Sequence, residues 1–301
     1  MIAATLLILA LAQPSMDVDV VRNVEFARYG ERPLLMDVYR AKSTVARRPA
    51  VVFFGGGMWD KGGKDRPPQA VIDLAKNGFV SVSAAYRPTS EARFPAQIHD
   101  VKAAIRWLRV HASEYGIEPD RIGVWGVAGG GHLAALAGTS GGVDALEGLP
   151  AGARAPSSSV QAVVSCSGPT DLVRLVDLRT ERRAARLKVT EAYRSGPQPE
   201  ERLLGGTVIQ KADLARQANP ATYASADDPP FLFIHGEDDT LVFADQSVLL
   251  HEALRRAGVK SQLRLLPKMG HGLPKEQAVW LIEFFQRTLV GSDSAVSTVK
   301  G

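Results

Sequence analysis

Cysteine and histidine are scarce in this chain of 301 residues, and each shortage excludes a class of site. Cys166 is the one cysteine, so the chain cannot form an internal disulfide or a CxxC metal or redox site. The six histidines form neither an HExxH nor an HxH motif, which argues against a dedicated zinc site. Apolar runs are short as well, and none reaches the ~20 residues that cross a bilayer. We therefore expect no metal, no disulfide and no membrane anchor.

Charge of one sign is not in large excess either. The 36 Lys and Arg residues stand against 32 Asp and Glu, a net charge of +4 on a chain that is 45% hydrophobic and 23% charged. This is ordinary globular composition and gives no reason to expect a nucleic-acid partner. The segment 174–194 holds seven basic residues against three acidic ones. We interpret it as a solvated helix face; if some of these residues line a substrate pocket instead, they favour an acidic ligand.

The first residues are predicted to direct export. Residues 2–11 are apolar, and Ala10-Leu11-Ala12 fits the small-x-small pattern of a signal-peptidase site. The usual positive charge is missing, because no Lys or Arg precedes Arg22, and the alternative is a misassigned start or a frayed apolar end. We expect a signal peptide over 1–12, a periplasmic or secreted mature protein, and a loose polar tail over 291–301.

Between these ends, strand patterns alternate with helical ones. The β-rich segments 18–29 and 34–39 flank Gly-Glu-Arg-Pro and predict an antiparallel hairpin. Short apolar runs separated by amphipathic helices follow, at 50–54, 79–85, 121–125, 160–165, 230–235 and 262–266. The alternation predicts a single α/β domain over 18–290, with a mostly parallel central sheet flanked by helices. The strand-free segment of about 170–223 is predicted to be a helical, cap-like insertion over the carboxyl ends of the strands.

A glycine-rich turn, GVAGGGH at 126–132, follows the strand at 121–125 and opens a helix. One interpretation is a dinucleotide-binding loop, but such loops belong to the first βαβ unit and need an acidic residue at the end of the next strand. Here several strands come first, and Asp144 and Glu147 lie in a loop. We favour a nucleophile elbow, G-x-S-x-G, in which small residues permit the sharp turn and Ala128 occupies the serine position.

Further segments follow other strands in the order that such a site requires. The glycine loop after Phe54 can turn backbone N–H groups toward an oxyanion. Asp239 follows a later strand and offers a carboxylate, and His271 follows the last strand and offers an imidazole. Nucleophile position, acid and base thus come in the chain order of one hydrolase class. His132, directly after the elbow, is more often a helix-packing residue than a catalyst.

On these motifs the chain resembles the α/β-hydrolase esterases and lipases of the feruloyl-esterase-like (BD-FAE) and hormone-sensitive-lipase-like groups. The matching segments include GGGMW (55–59), SAAYRP (83–88), RIGVWGVAGGGHLAALAG (121–138) and DDPPFLFIHGEDDTLV (227–242) within about 20–289. The resemblance implies that Asp239 is the triad acid and His271 the base. It also implies oxyanion-hole N–H donors at Gly56, Gly57 and Gly129, and no metal or organic cofactor.

Two departures from the family pattern stand out. The family's HGGGW motif begins with His where this chain has Phe54 and ends with Trp where it has Met58, and a packing Phe changes little. The nucleophilic serine is Ala128, which has no hydroxyl, so no acyl-enzyme forms there. We favour a single serine-to-alanine substitution in a working esterase. The alternative is a natural pseudoenzyme that binds an ester-like or acidic ligand without cleaving it.

The function that the resemblance implies is carboxylic-ester hydrolysis by acyl transfer, impaired in the chain as it stands. An exported enzyme of this kind meets extracellular esters, either short-chain acyl esters or acetyl and feruloyl groups linked to polysaccharide. We expect Met58 and Trp59 to border the acyl group. An apolar lid over that group is predicted from the leucines of the insertion: Leu172, Leu175, Leu203 and Leu204.

Overall fold

The computed structural model describes residues 17–42, 47–150, 152–190 and 196–291. The predicted signal peptide at 1–12 and the tail after Gly291 lie outside these ranges. The described residues contain eight strands: β1 (Val18–Tyr29), β2 (Arg32–Ala41), β3 (Arg48–Phe54), β4 (Val80–Ala84), β5 (Ile117–Val127), β6 (Ala162–Cys166), β7 (Phe231–Gly236) and β8 (Ser261–Leu266).

Helices lie between the strands and after the last one. They are α1 (Gln69–Lys76), α2 (Ala96–Val110), α3 (Ala112–Tyr115), α4 (Gly129–Thr139), α5 (Asp144–Glu147), α6 (Leu172–Ala184), α7 (Pro199–Leu204), α8 (Ala212–Gln217), α9 (Asp245–Arg256) and α10 (Gln277–Phe285). A 3₁₀ helix at Pro220–Tyr223 precedes β7, and a π-helical turn at Gln286–Val290 follows α10. Within the described ranges, no helix combines the length and the apolar character needed to cross a membrane.

All eight strands form one sheet, in the order β1-β2-β4-β3-β5-β6-β7-β8. The pairs β1/β2 and β2/β4 are antiparallel, and every other neighbouring pair is parallel. The predicted α/β-hydrolase architecture, with a mostly parallel sheet and an N-terminal antiparallel hairpin, is confirmed. Since parallel strands end at the same edge, the segments that follow β3, β5, β7 and β8 meet on one side of the molecule.

The strands carry apolar side chains on both faces because helices cover both sides of the sheet. In β3, Ala50, Val52 and Phe54 pack in the cluster that contains the apolar faces of α2 and α4. The alternate residues Val51 and Phe53 pack with α1 and α10 on the other side. This period-two division explains why the strand has a continuous apolar sequence instead of an alternating one.

The chain between β6 and β7 is helical, with α6, α7, α8 and the 3₁₀ helix in succession. The Asp171 carboxylate accepts a hydrogen bond from the backbone N–H of Arg174 and so caps the start of α6. Leu175 and Leu178 of α6 pack on Phe243, which follows β7. These contacts hold the helical segment over the loops at the carboxyl edge of the sheet.

Candidate active site

Ala128 lies in the tight turn between β5 and α4, with φ 50° and ψ −117°. Residues with a Cβ rarely adopt this backbone conformation. The turn is closely packed: a Cβ added to Gly126 would lie 2.2 Å from the carbonyl oxygen of Gly130, and one on Gly130 would lie 2.0 Å from that of Phe54. The N–H of Ala128 donates to the carbonyl of Cys166 in β6 at 2.9 Å. The turn therefore has the strained strand-to-helix geometry of a nucleophile elbow.

His271 and Asp239 form a hydrogen-bonded pair, with 2.7 Å between Nδ1 and Oδ2. The other oxygen of Asp239 accepts the backbone N–H groups of Leu241 and Val242, both at 2.9 Å. The Asp239 side chain is fully buried, whereas 25% of the His271 side chain is exposed. The carboxylate thus accepts the Nδ1 proton and leaves Nε2 as the ring nitrogen that can take up a proton.

A second histidine, His235 at the end of β7, also contacts the carboxylate. Its Nε2 lies 2.8 Å from the carbonyl oxygen of Val242 and 3.2 Å from Oδ2 of Asp239, and its Nδ1 lies 2.7 Å from Oγ of Ser247. Since both neighbours of Nε2 are acceptors, Nε2 carries the proton. Burial raises the pKa of Asp239, but hydrogen bonds from His235 and His271 outweigh it, and the net pKa lies well below its usual range. The acid is therefore held ionised.

The glycine loop after β3 packs against the elbow: a Cβ added to Gly56 would lie 3.3 Å from the Cβ of Ala128. The buried Tyr86 hydroxyl lies 2.9 Å from the carbonyl oxygen of Gly55 and 3.3 Å from that of Gly56. In a trans peptide the C=O and the following N–H point in opposite directions. The N–H groups of Gly56 and Gly57 consequently point away from Tyr86, which fixes the orientation of these two predicted oxyanion donors.

His132 joins the glycine loop to α4. The indole N–H of Trp59 donates to Nδ1 of His132 at 3.2 Å, and Nε2 of His132 donates to the carbonyl of Ala218 at 2.7 Å. Burial lowers the pKa of His132 to about 4, although the hydrogen bond to Ala218 acts in the opposite direction, so the ring is neutral near pH 7. The position after the elbow therefore has the packing role expected of it, and it positions Trp59 beside the site.

One cavity brings most of these elements together. Its volume is about 40 Å³, and its lining residues are Met58, Trp59, Ala128, Gly129, Pro169, Leu175, Arg179, Pro199, Glu200, Leu241, Val242 and His271. A single water molecule needs roughly 10–15 Å³, so the cavity holds a group of a few heavy atoms. Within the described ranges, no group of three or more His, Cys, Asp and Glu side chains is placed to hold a metal ion.

Three of the leucines expected in an apolar lid do not line this cavity. Leu172, Leu203 and Leu204 are fully buried in the main hydrophobic core, because α6 and α7 turn these positions inward. Leu175 does line the cavity. The basic segment 174–194 was expected to form a solvated helix face, and one residue departs from this expectation. Among its described basic residues Arg179 alone is buried, and it lines the cavity beside Glu200.

Comparison with known proteins places the chain in a family. The sequence pattern of the BD-FAE family matches residues 36–254, which is most of the chain. Esterase LipC of Mycobacterium tuberculosis (strain ATCC 25618 / H37Rv) is 33% identical over 250 residues, or 81% of this chain and 58% of LipC. Esterase LipQ of the same strain is 31% identical over 76% of this chain and 51% of LipQ, so the chain spans little more than half the length of these relatives.

Solved structures agree with this assignment. The bifunctional GH43-CE protein of Bacteroides eggerthii superposes with a TM-score of 0.78 at 33% identity, covering 90% of this chain and 35% of that one. A truncated carbohydrate esterase from gut microbiota superposes with a TM-score of 0.77 at 28% identity, covering 93% of this chain and 99% of that one. The chain therefore belongs to the BD-FAE family and has the fold of the α/β-hydrolase esterases.

Proposed function

We propose that this chain is the scaffold of a serine-type carboxylic-ester hydrolase whose chemistry passes through position 128 and is blocked there by alanine. The observation that carries the proposal is the 2.7 Å hydrogen bond between His271 and Asp239, beside an elbow that presents Ala128 to the same cavity as His271. Relatives named as esterases, LipC among them, support the reaction class. The proposed reaction needs no metal or organic cofactor.

The mechanism follows from the hydrogen bonds of the site. In the Ala128→Ser protein, the hydroxyl oxygen attacks the ester carbonyl carbon while Nε2 of His271 takes the hydroxyl proton, and Asp239 stabilises the resulting imidazolium. The tetrahedral oxyanion binds the N–H groups of Gly56, Gly57 and Gly129. Each such donor contributes ~10²–10³ in rate. His271 returns the proton to the leaving alcohol, and water then attacks the acyl-enzyme by the same steps to release the acid.

Short acyl groups are the proposed substrates because the cavity is small. About 40 Å³ holds an acetyl group, whereas a long alkyl chain needs an open channel. Met58 and Trp59 border the cavity on the side of the glycine loop, where an aromatic acyl group such as feruloyl would have to pack. The similarity to a carbohydrate esterase favours esters linked to polysaccharide as the natural source.

A binding function for the chain as it stands is supported by a separate observation. The lining of the cavity, which lies within the described ranges, contains no serine, threonine, cysteine or lysine. Cys166 is fully buried, and burial raises the pKa of its thiol to about 12, which opposes thiolate formation. With Ala128 in place, the site is therefore expected to hold an ester without forming an acyl-enzyme.

Labelling with a fluorophosphonate probe tests two proposals: that a serine at position 128 is the nucleophile, and that the chain with Ala128 forms no acyl-enzyme. The chain with Ala128 should remain unlabelled, and the Ala128→Ser protein should take up one probe per chain, as measured by intact mass. Stoichiometric labelling of the Ala128 chain would reveal another nucleophile and refute the mechanism. A panel of nitrophenyl esters and methyl ferulate on the Ala128→Ser protein should show highest kcat/KM for acetyl or propionyl esters, and a preference for long chains would contradict the assignment of the cavity.

A further inference from the structure

A second pocket lies at the amino edge of the sheet, opposite the edge that carries the candidate active site. Its volume is about 340 Å³, and its walls are formed by the end of β2, the start of β3 and the residues around α3. The seven residues of β3 rise ~3.3 Å each, so the two ends of this strand are roughly 20 Å apart. The pocket shares no lining residue with the cavity at Ala128 and is a separate feature of the molecule.

Arg48, the first residue of β3, brings a buried charge to this pocket. It lines the pocket and is 7% exposed. Nη1 donates to the backbone carbonyl of Ala41 at 3.1 Å, and within the described ranges its side chain makes no other hydrogen bond. Burial lowers the pKa of Arg48, the charge of Arg40 lowers it further, and no acidic group in that part of the chain raises it. The guanidinium is thus buried there without a counter-charge.

The unused donors of Arg48 form one edge of the guanidinium. The N–H of Nε and one N–H of Nη2 are parallel on this edge, and such a pair matches two oxygens of a phosphate or carboxylate. Among the described residues, neither nitrogen belongs to the polar atoms that are sealed from solvent without a partner, so both retain contact with open space. Because the residue is otherwise buried and lines the pocket, the pocket is that space.

Two acidic residues also line the pocket, and neither neutralises Arg48. Asp19 contacts the ammonium of Lys42 at 3.7 Å, and both of these side chains are at least half exposed. Glu114 is exposed as well, where solvent and salt screen its charge. The positive charges of Arg40 and Arg48 therefore remain side by side at this end of the sheet.

The fold by itself does not explain an arginine at position 48. A buried charge without a partner destabilises the folded chain, and a neutral side chain with an N–H donor could make the bond to Ala41. What arginine adds is a charged edge with two donors, facing the pocket. Because Arg40 places a second positive charge beside it, the arrangement favours an anion with more than one negative charge.

We propose that Arg48, with Arg40 beside it, binds a phosphate group, two of whose oxygens accept hydrogen bonds from Nε and Nη2 of Arg48. A phosphate ester carries about −1.5 to −2 charges near pH 7 and has three terminal oxygens, whereas a carboxylate carries one charge. The pocket volume of about 340 Å³ leaves room for an organic group on the phosphate. The ligand is inorganic phosphate or a phosphomonoester, either soluble or as a lipid head group. The site lies at the edge of the sheet remote from position 128 and is independent of the ester chemistry.

Calorimetric titration of the unmodified chain with inorganic phosphate and with acetate, at about pH 8 and low salt, tests the proposal. We expect phosphate to bind at least about tenfold more tightly than acetate. Arg48→Lys keeps a charge and a donor but loses the two-donor edge, so it should weaken phosphate binding roughly 10-fold; Arg48→Gln also removes the charge and should weaken it roughly 100-fold. Arg47→Gln is the matched control, because Arg47 is exposed and does not line the pocket, and it should keep the full affinity.

Melting temperatures separate ligand binding from a role in the fold. Phosphate should raise the melting temperature of the unmodified chain but not that of Arg48→Gln. Without phosphate, Arg48→Gln should melt no lower than the unmodified chain, since it removes a buried charge that has no partner. A lower melting temperature, with no effect of phosphate on either protein, would assign Arg48 to the fold and overturn the proposal. If Arg48→Gln fails to fold, the affinity of Arg48→Lys relative to the unmodified chain decides.

Flotation with phosphatidylcholine vesicles, with and without phosphatidic acid, identifies the source of the phosphate. Flotation that requires both phosphatidic acid and Arg48 would support a lipid head group, and phosphate binding without flotation would support a soluble ligand. Equal affinity for phosphate and acetate, no binding of phosphate in any of these forms, or binding that both Arg48 variants leave unchanged would overturn the proposal.

Discussion

Restoring a hydroxyl at position 128 should convert this chain into an esterase. The change Ala128→Ser adds one oxygen to a Cβ that already faces the cavity, at a backbone conformation of φ 50° and ψ −117° that remains unchanged. The added hydroxyl is expected to enter the cavity that His271 also lines. We therefore expect the melting temperature to change by no more than about 2 °C, since a polar substitution at an accessible site usually has a small effect.

The expected increase in kcat follows from the arrangement of the base and the acid, which are already in place. The base is already bonded to its acid at 2.7 Å, and Asp239 is held by two backbone N–H groups and His235. In a triad these groups act as a unit, and loss of the serine alone lowers kcat by about 2 × 10⁶ while leaving ~10³–10⁴ over water. Replacing it should raise kcat between roughly 10⁴- and 10⁶-fold. At 1.36 kcal/mol per factor of ten, the upper value corresponds to about 8 kcal/mol of transition-state stabilisation.

Initial rates with nitrophenyl acetate measure this gain. In the Ala128→Ser background, His271→Ala should return the rate to that of the unmodified chain, and Asp239→Asn should lower it about 10⁴-fold because the imidazole loses its correct tautomer. Ala128→Gly, which adds no hydroxyl, is the control for the substitution itself. If the Ala128→Ser protein has the expected melting temperature but its rate equals that of the unmodified chain, the site lacks more than its nucleophile, and the pseudoenzyme interpretation is the better one.

Three further predictions follow from contacts around the elbow. In the Ala128→Ser background, Tyr86→Phe should lower kcat roughly 10²-fold with KM little changed, because the peptides that carry the predicted oxyanion donors lose their hydrogen bond to the Tyr86 hydroxyl. Tyr223→Phe is the control: it removes a comparable hydrogen bond from a tyrosine hydroxyl to a carbonyl away from the cavity and should leave kcat unaltered. His132 has a folded pKa of about 4 against 6.5 when unfolded, so the unfolded state binds its proton first and stability falls as the pH drops from about 6.5 to 4. Urea unfolding should show that the stability lost between pH 7 and pH 4 is about 3 kcal/mol greater for the unmodified chain than for His132→Gln, and equal losses would contradict a buried neutral ring. Ala128→Gly should raise the melting temperature by about 2 °C, because glycine adopts φ 50° without strain, and a fall would mean that the elbow is not strained.

The sequence predicted the sheet correctly, and it also predicted the tight turn at residue 128 and the Asp–His pair that the structure brings together, because each depends on local patterns. Fully buried parallel strands are continuous apolar runs, and a sharp strand-to-helix turn needs glycines at fixed positions around residue 128. Asp239 and His271 each follow a strand directly, so the parallel topology alone brings them to one edge. The conformation of the two loops then brings the side chains within hydrogen-bond distance.

The contacts that sequence analysis missed join residues far apart along the chain. Tyr86 reaches the glycine loop across 31 positions, and Trp59 reaches His132 across 73. No periodicity encodes such pairs, because they depend on how helices and loops pack in three dimensions. The inward position of Arg179, in contrast, could have been predicted from the sequence. Arg179 lies four residues after Leu175 and one after Leu178, and this spacing places it on the apolar face of α6. That spacing was the available signal that this arginine faces inward.

The strain at position 128 bears on how the alanine arose. A residue with a Cβ at φ 50° and ψ −117° costs of order 1–3 kcal/mol, and glycine would relieve most of it. A pocket that only binds has no use for a strained side chain, for a buried carboxylate hydrogen-bonded by two histidines, or for a tyrosine that orients two peptide N–H groups at the elbow. In the proposed serine form, each of these features would act on an oxygen attached to the Cβ of residue 128. We therefore propose a working hydrolase site, from which that one oxygen has been removed, as the account that explains these features together.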